Sequence, residues 1–187
     1  MPASILDEPP EAAWTEADLA RVERDGHRYE IVDGSLIVTP PAGDWHQTVE
    51  PNVWLLLKTA APQGWRVQPE RGVKAGDNRF EPDVVVFRPG SDITDTYVDA
   101  SAVALVVEVE SRSTRTNDRG NKLVAYAEAG IESYWRVERS ADGPVVHVYH
   151  LAAGAETYAL MASIGPGERR HVDLPYPVVV EPATFLT

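Results

Sequence analysis

EPDVVVF at residues 81–87, ALVVEVES at 104–111 and NDRGNKLVAY at 117–126 are the pieces whose reading decides the fold. The first two are rich in Val and have the length and β-branched content of buried strands. Each nevertheless carries a carboxylate, Asp83 at the start of one and Glu108 inside the other. Burying an unpaired carboxylate is costly, so neighbouring strands that each aim one inward imply a shared compensating cation, either a metal or a basic side chain. Lys122, on the helix that follows, is placed to supply part of that charge.

Working outward, seven of the nine residues of AVALVVEVE (102–110) are apolar and none is Gly or Pro, which marks the central strand of a sheet. Asn117 or Asp118 can cap the next helix and Gly130 can close it, with Lys122 at the margin of the face formed by Leu123 and Tyr126. ESYWRVER (132–139) then reads as a strand, and the strand–helix–strand passage suits a parallel or mixed pairing. Upstream, residues 65–87 read as two strands joined by a turn at Gly76-Asp77-Asn78, and residues 89–101 as a surface connection. Residues 44–62 read as a helix with Val49, Val53, Leu56 and Leu57 on its apolar side, Pro51 disturbing its first half and His46 near its start.

RYEIVDGSLIV (28–38) is a hairpin around Asp33-Gly34, with Glu30 on its first arm. Thr15 and Asp18 form a capping-box pattern opening a helix that Gly26 closes, with Leu19 and Val22 expected on its buried side. Residues 1–13, with three Pro and no apolar period, read as a flexible arm, and residues 14–187 as one domain whose last strands form hairpins.

A chain of 187 residues that is 43% hydrophobic can bury a full core. With no Cys, disulfides and thiolate metal sites are excluded, and any metal is held by oxygen or imidazole. No leader and no apolar run of membrane-spanning length stands in the sequence, so a cytoplasmic location is expected, with no membrane partner. The formal charge of −12 argues against a broad basic surface for nucleic acid, though not against a local basic strip.

If the strands bearing Asp83 and Glu108 pair side by side, their carboxylates converge on one hard cation, Mg²⁺ or Mn²⁺. Such a cation polarises a phosphodiester oxygen and lowers the pKa of a bound water, while a nearby Lys orients that water or stabilises developing charge. Absence of both Cys and an HExxH pattern weighs against a zinc hydrolase.

The order YEIVDG, EPDVVVF, VVEVESRST, DRGNKLVAYAEAGIESYW resembles the Uma-type endonuclease-like family of the PD-(D/E)XK nuclease superfamily, from residue 15 to the final strands. The resemblance implies an α/β restriction-endonuclease-like core, a mixed central sheet flanked by helices. Pro82-Asp83 matches the PD element and Glu108-Val109-Glu110 the (D/E)XK element, with Glu110 standing where the pattern places Lys. By the same resemblance Lys122 supplies the lysine from the helix, Glu30 is the upstream acidic position, and the Val109 carbonyl is a further metal ligand.

Competing structural readings exist for each residue. Asp83 could cap a turn, Glu108 could sit in a salt bridge, Lys122 and Glu30 could be solvated, and Glu110 is expected to pair with an arginine of the adjoining loop. His46 is a candidate contact to a scissile phosphate. Arg112, Arg115 and Arg119 form a candidate basic strip for a polyanionic substrate, with pairing to acidic neighbours as the other reading. The leading expectation is a metal-dependent endonuclease acting on DNA, with a homodimer implied as an option by the fold. A binding or assembly protein without turnover, or a hydrolase of a smaller phosphodiester, are the alternatives.

Overall fold

The computed structural model describes residues 12–22, 25–110 and 120–187. Among these residues thirteen strands form three sheets, and the largest is built around β8 (Val103–Val109). Its six strands run in the order β11 (Ala159–Ile164), β10 (Pro144–His150), β9 (Ser133–Arg139), β8, β6 (Val84–Phe87), β3 (Arg66–Pro69). Strand β8 pairs antiparallel with β6 and parallel with β9, as a strand–helix–strand crossover requires. All seven of its residues are buried because both faces are covered. Leu105, Val107 and Val109 join the core beneath α2 (Asp44–Ala60), while Val103 and Val106 join the core that contains Tyr126 and Phe80.

A second sheet orders β2 (Ser35–Thr39), β1 (Arg28–Val32), β5 (Asn78–Phe80), β4 (Gly72–Ala75), β7 (Tyr97–Asp99). Asp33 and Gly34 both take positive φ, 48° and 75°, so the β1–β2 turn has the type I′ form that its sequence demands. A third, two-stranded sheet pairs β12 (Arg170–Val172) with β13 (Val178–Val180). Among the described residues no helix is long and apolar enough to cross a membrane.

Several local expectations are corrected. Residues 65–87 contain four strands, β3 to β6, because the chain leaves one sheet at Pro69, enters the other for β4 and β5, and returns at β6. The segment from 89 to 101 includes β7, parallel to β4, and buries Ile93, Tyr97 and Val98. Thr15 does form its capping box, but the helix α1 is a single turn, Glu16–Leu19, with no buried residue. Helix α3 runs over Asn121–Glu128 with Gly120 at its N-cap, so the proposed caps Asn117 and Asp118 fall outside the described residues. Residues 1–11 of the arm expected at 1–13 lie outside them too.

Candidate active site

Glu30, on the β1 arm of the hairpin, is 3% exposed, and its Oε1 accepts hydrogen bonds from the Glu81 N–H at 2.8 Å and from Lys122 Nζ at 2.9 Å. Two residues earlier on the same strand, and therefore on the same side of it, stands Arg28. Its Nη2 lies 2.7 Å from Asp83 Oδ1 and 3.6 Å from the Glu70 carboxylate. Hairpin geometry thus aims one acid and one base at the end of the neighbouring sheet.

Asp83 stands immediately before β6, where the register Val84↔Val107 carries it opposite Glu108. Its Oδ2 accepts from the Val109 N–H at 2.6 Å and lies 3.2 Å from His46 Nε2. Burial works to raise its pKa, but Arg28, His46 and the Val109 N–H outweigh burial and hold the carboxyl well below its usual range. Asp83 is therefore ionised at any ordinary pH. For Arg28 burial works the other way, and the surrounding carboxylates, Asp83 foremost, push its pKa up.

Glu108 is 1% exposed. Lys122, second residue of α3, sends its ammonium across from the helix to lie 3.1 Å from Oε1 and 3.2 Å from Oε2. Tyr126, one helical turn further on, donates its hydroxyl to Oε1 at 2.8 Å. Burial, with Glu108 beside it, lifts the Tyr126 pKa well above the ordinary value, so the hydroxyl stays a donor. The Lys122 ammonium also lies 5.6 Å from the Phe80 ring centroid. At 3% exposure Lys122 is inside the packed face, not at its margin as helix spacing implied. Its apolar stem is buried, and its charge is met by two carboxylates.

His46 lies on the buried stripe of α2 with Val49, Val53 and Leu57. Its Nδ1 is 3.4 Å from Glu50 Oε2, one turn along the helix, but makes no hydrogen bond. His46, Glu50 and Asp83 offer ligand atoms within 4.8 Å of one another, the metal-competent group found among the described residues. Burial and the Asp83 charge push the Glu50 carboxyl up to about 7. Burial depresses His46, yet its hydrogen bond to Asp83 prevails and raises its pKa. Arg28, His46, Glu70, Asp83, Glu108 and Val109 line one cleft of about 70 Å³.

Asp83, Glu108, Lys122, Glu30 and His46 are thus brought together. Glu110 is turned aside. Its N–H bonds to the Val137 carbonyl, and its carboxylate lies 3.1 Å from Arg136 Nε on β9; the loop arginines expected beside it fall among residues that are not described. Arg112, Arg115 and Arg119 lie outside the described residues. Sequence reasoning passed over Arg28, Glu50 and the Tyr126 hydroxyl. Arg28 was readable as the residue two before Glu30 on a strand, and Glu50 as four after His46 on a helix.

The family profile whose description is "Uma2: Putative restriction endonuclease" matches residues 15–181. No curated protein sequence matches the chain. Among solved structures, a crystal structure of "a putative nuclease belonging to DUF820" from Anabaena variabilis ATCC 29413 superposes with a TM-score of 0.66 at 17% identity, covering 85% of this chain and 89% of that one. That likeness establishes the restriction-endonuclease-like fold.

Proposed function

Because the chain belongs to the Uma2 family of restriction-endonuclease-like proteins, we propose that it hydrolyses phosphodiester bonds in DNA with a bound divalent cation. The observation that carries this reading is the Lys122 ammonium held between Glu30 and Glu108, at the end of the strand pair that bears Asp83.

The donors suit a hard cation. Asp83, Glu108 and Val109 border the same cleft, and the two side chains offer only oxygen. The Val109 N–H points to Asp83, and a residue's N–H and C=O leave a strand on the same side, so its carbonyl is directed there too. Asp83, Glu108 and the Val109 carbonyl would hold Mg²⁺ or Mn²⁺, with His46 and Glu50 bordering the Asp83 side. Such a cation supplies polarisation of the phosphodiester and a more acidic bound water.

The protein's own groups do the rest. Lys122 carries three donors, of which Glu30 and Glu108 fix the direction, and its charge offsets negative charge that develops on the phosphoryl oxygens. Glu30 acts through Lys122, holding the ammonium in place. His46 fixes the Asp83 carboxylate and borders the cleft where a phosphate would enter. The net charge of −12 makes DNA binding weak and salt-sensitive.

That same charge favours a second reading, hydrolysis of a small phosphodiester that needs no extended basic footprint. Incubating the purified protein with Mg²⁺ or Mn²⁺ and either plasmid DNA or bis(p-nitrophenyl) phosphate separates the two. Plasmid cleavage that disappears with EDTA and in Glu108→Ala supports the first. Turnover of the small diester alone supports the second. Cleavage unchanged in Glu108→Ala, or no divalent-cation binding, would overturn both.

A further inference from the structure

We propose that Arg28 is an exchangeable counter-ion, pairing with Asp83 until a divalent cation takes that carboxylate and then passing to a phosphodiester oxygen of the substrate. The inference rests on the cation site proposed above and adds a substrate-binding residue to it.

The two oxygens of Asp83 are engaged differently. Oδ2 is engaged by the Val109 N–H at 2.6 Å and faces His46 Nε2 at 3.2 Å. Oδ1 is the oxygen left for a metal, and Arg28 Nη2 stands 2.7 Å from it. A divalent cation bound through Oδ1 would come into near contact with the guanidinium, and two cations that close in a half-buried cleft repel strongly. One of them must leave, and only Arg28 is tethered where it has somewhere to go. Its side chain is 17% exposed, it borders the cleft, and the Glu70 carboxylate lies 3.6 Å away on the solvent side.

Lys122 is enclosed between Glu30 and Glu108 at 3% exposure, whereas Arg28 borders the open cleft, so Arg28 is the cation placed to be released. A planar guanidinium matches two phosphate oxygens in fork geometry better than any other side chain. The dependence of the exchange on cation binding would keep the site from engaging phosphate until it is complete.

The test is Mn²⁺ binding by isothermal titration calorimetry to the wild-type protein and Arg28→Gln. An opposite charge in contact with a carboxylate shifts its equilibria by about one to three pKa units, so the variant should bind Mn²⁺ about 10-fold more tightly or better. At saturating Mn²⁺ its cleavage rate should fall by about 100-fold, since a phosphate donor is gone. Equal or weaker Mn²⁺ affinity in the variant overturns the proposal. Should Arg28→Gln fail to fold, a crystal structure of the wild-type protein soaked in Mn²⁺ decides instead. Arg28 withdrawn from Asp83 supports the exchange, and Arg28 still in contact with a metal-bound Asp83 refutes it while leaving the cation site intact. If neither protein binds Mn²⁺, the cation site itself fails and the exchange fails with it.

Discussion

Lys122 Nζ lies 2.9 Å from Glu30 Oε1, although the two residues stand 92 positions apart. A β-hairpin and a helix from opposite parts of the chain meet over the end of the central strand pair, and their charges meet there as well. Glu108, on the central strand, is the third member of the group. None of the three is more than 3% exposed, so their mutual attraction helps to offset their loss of hydration.

Lys122→Met therefore affects two quantities together. Removing the cation leaves Glu30 and Glu108 facing each other in the interior, and breaking a buried ion pair in this way costs about 3–5 kcal/mol. Thermal melts should show that loss at neutral pH. Cleavage should fall by about 100-fold or more at a temperature where the variant is still folded, because the charge facing the phosphoryl oxygens is gone. Retained cleavage in a folded variant would remove Lys122 from the mechanism.

Tyr126→Phe is the gentler test of the same carboxylate. The ring packs edge-on against Phe80 at 5.1 Å between centroids, and that contact survives the substitution. Only the hydroxyl bond to Glu108 Oε1 is lost, at about 1.5–3 kcal/mol of stability because the acceptor is a carboxylate. Freed of that bond the carboxylate turns more easily, and divalent-cation affinity should drop by about 10-fold. Titration calorimetry with Mn²⁺ measures it, and unchanged affinity would reduce Tyr126 to a packing residue.

Most of this arrangement could be read along the chain because it depends on periods of two and on local breaks. A Val-rich strand with a carboxylate inside it signals both its central place and its need for a cation, and Asp33-Gly34 signals its own turn. What escaped the sequence depends on contacts between distant segments. Strands β4 and β5 are too short to separate from β3 and β6 by pattern, since the change of sheet at Pro69 leaves no periodic trace. Arg28 could be placed on the Glu30 side of its strand, but its meeting with Asp83, 55 positions on, follows from how the two sheets sit together. Glu110 is placed on the side of Glu108 by alternation, and its contact with Arg136 follows from the pairing with β9 that no local pattern announces.

Glu50 gives a pH dependence with a definite sign. Its carboxyl is raised from an ordinary 4.5 to about 7 in the folded protein by burial and the nearby Asp83 charge. A fold that favours the protonated acid has that stability in full below about pH 4.5 and loses it as pH rises toward 7. Glu50→Gln keeps the neutral form at every pH. It should melt within a degree or so of the wild type at pH 5 and about 2–4 °C higher at pH 8, for about 1 kcal/mol after solvent screening. An equal effect at both pH values would show that Glu50 is not held neutral.

Glu108 in β8 and Glu110 just past its end make the sharpest contrast, because two carboxylates two residues apart should respond oppositely to the same change. Glu110 lies 3.1 Å from Arg136, which also lies 3.8 Å from Glu138 and stacks 5.6 Å from the Tyr149 ring, so Glu110 belongs to a charge ladder across β9. Glu110→Gln should lower stability by about 1–3 kcal/mol and leave cleavage per folded molecule within about 2-fold. Glu108→Gln should abolish Mn²⁺-dependent cleavage. Glu110→Lys puts an ammonium where the superfamily pattern has one, but here it would meet the Arg136 guanidinium and be repelled. Introduced together with Lys122→Met it should restore no cleavage, and recovery in the double variant would show that strand lysine and helix lysine reach the same place.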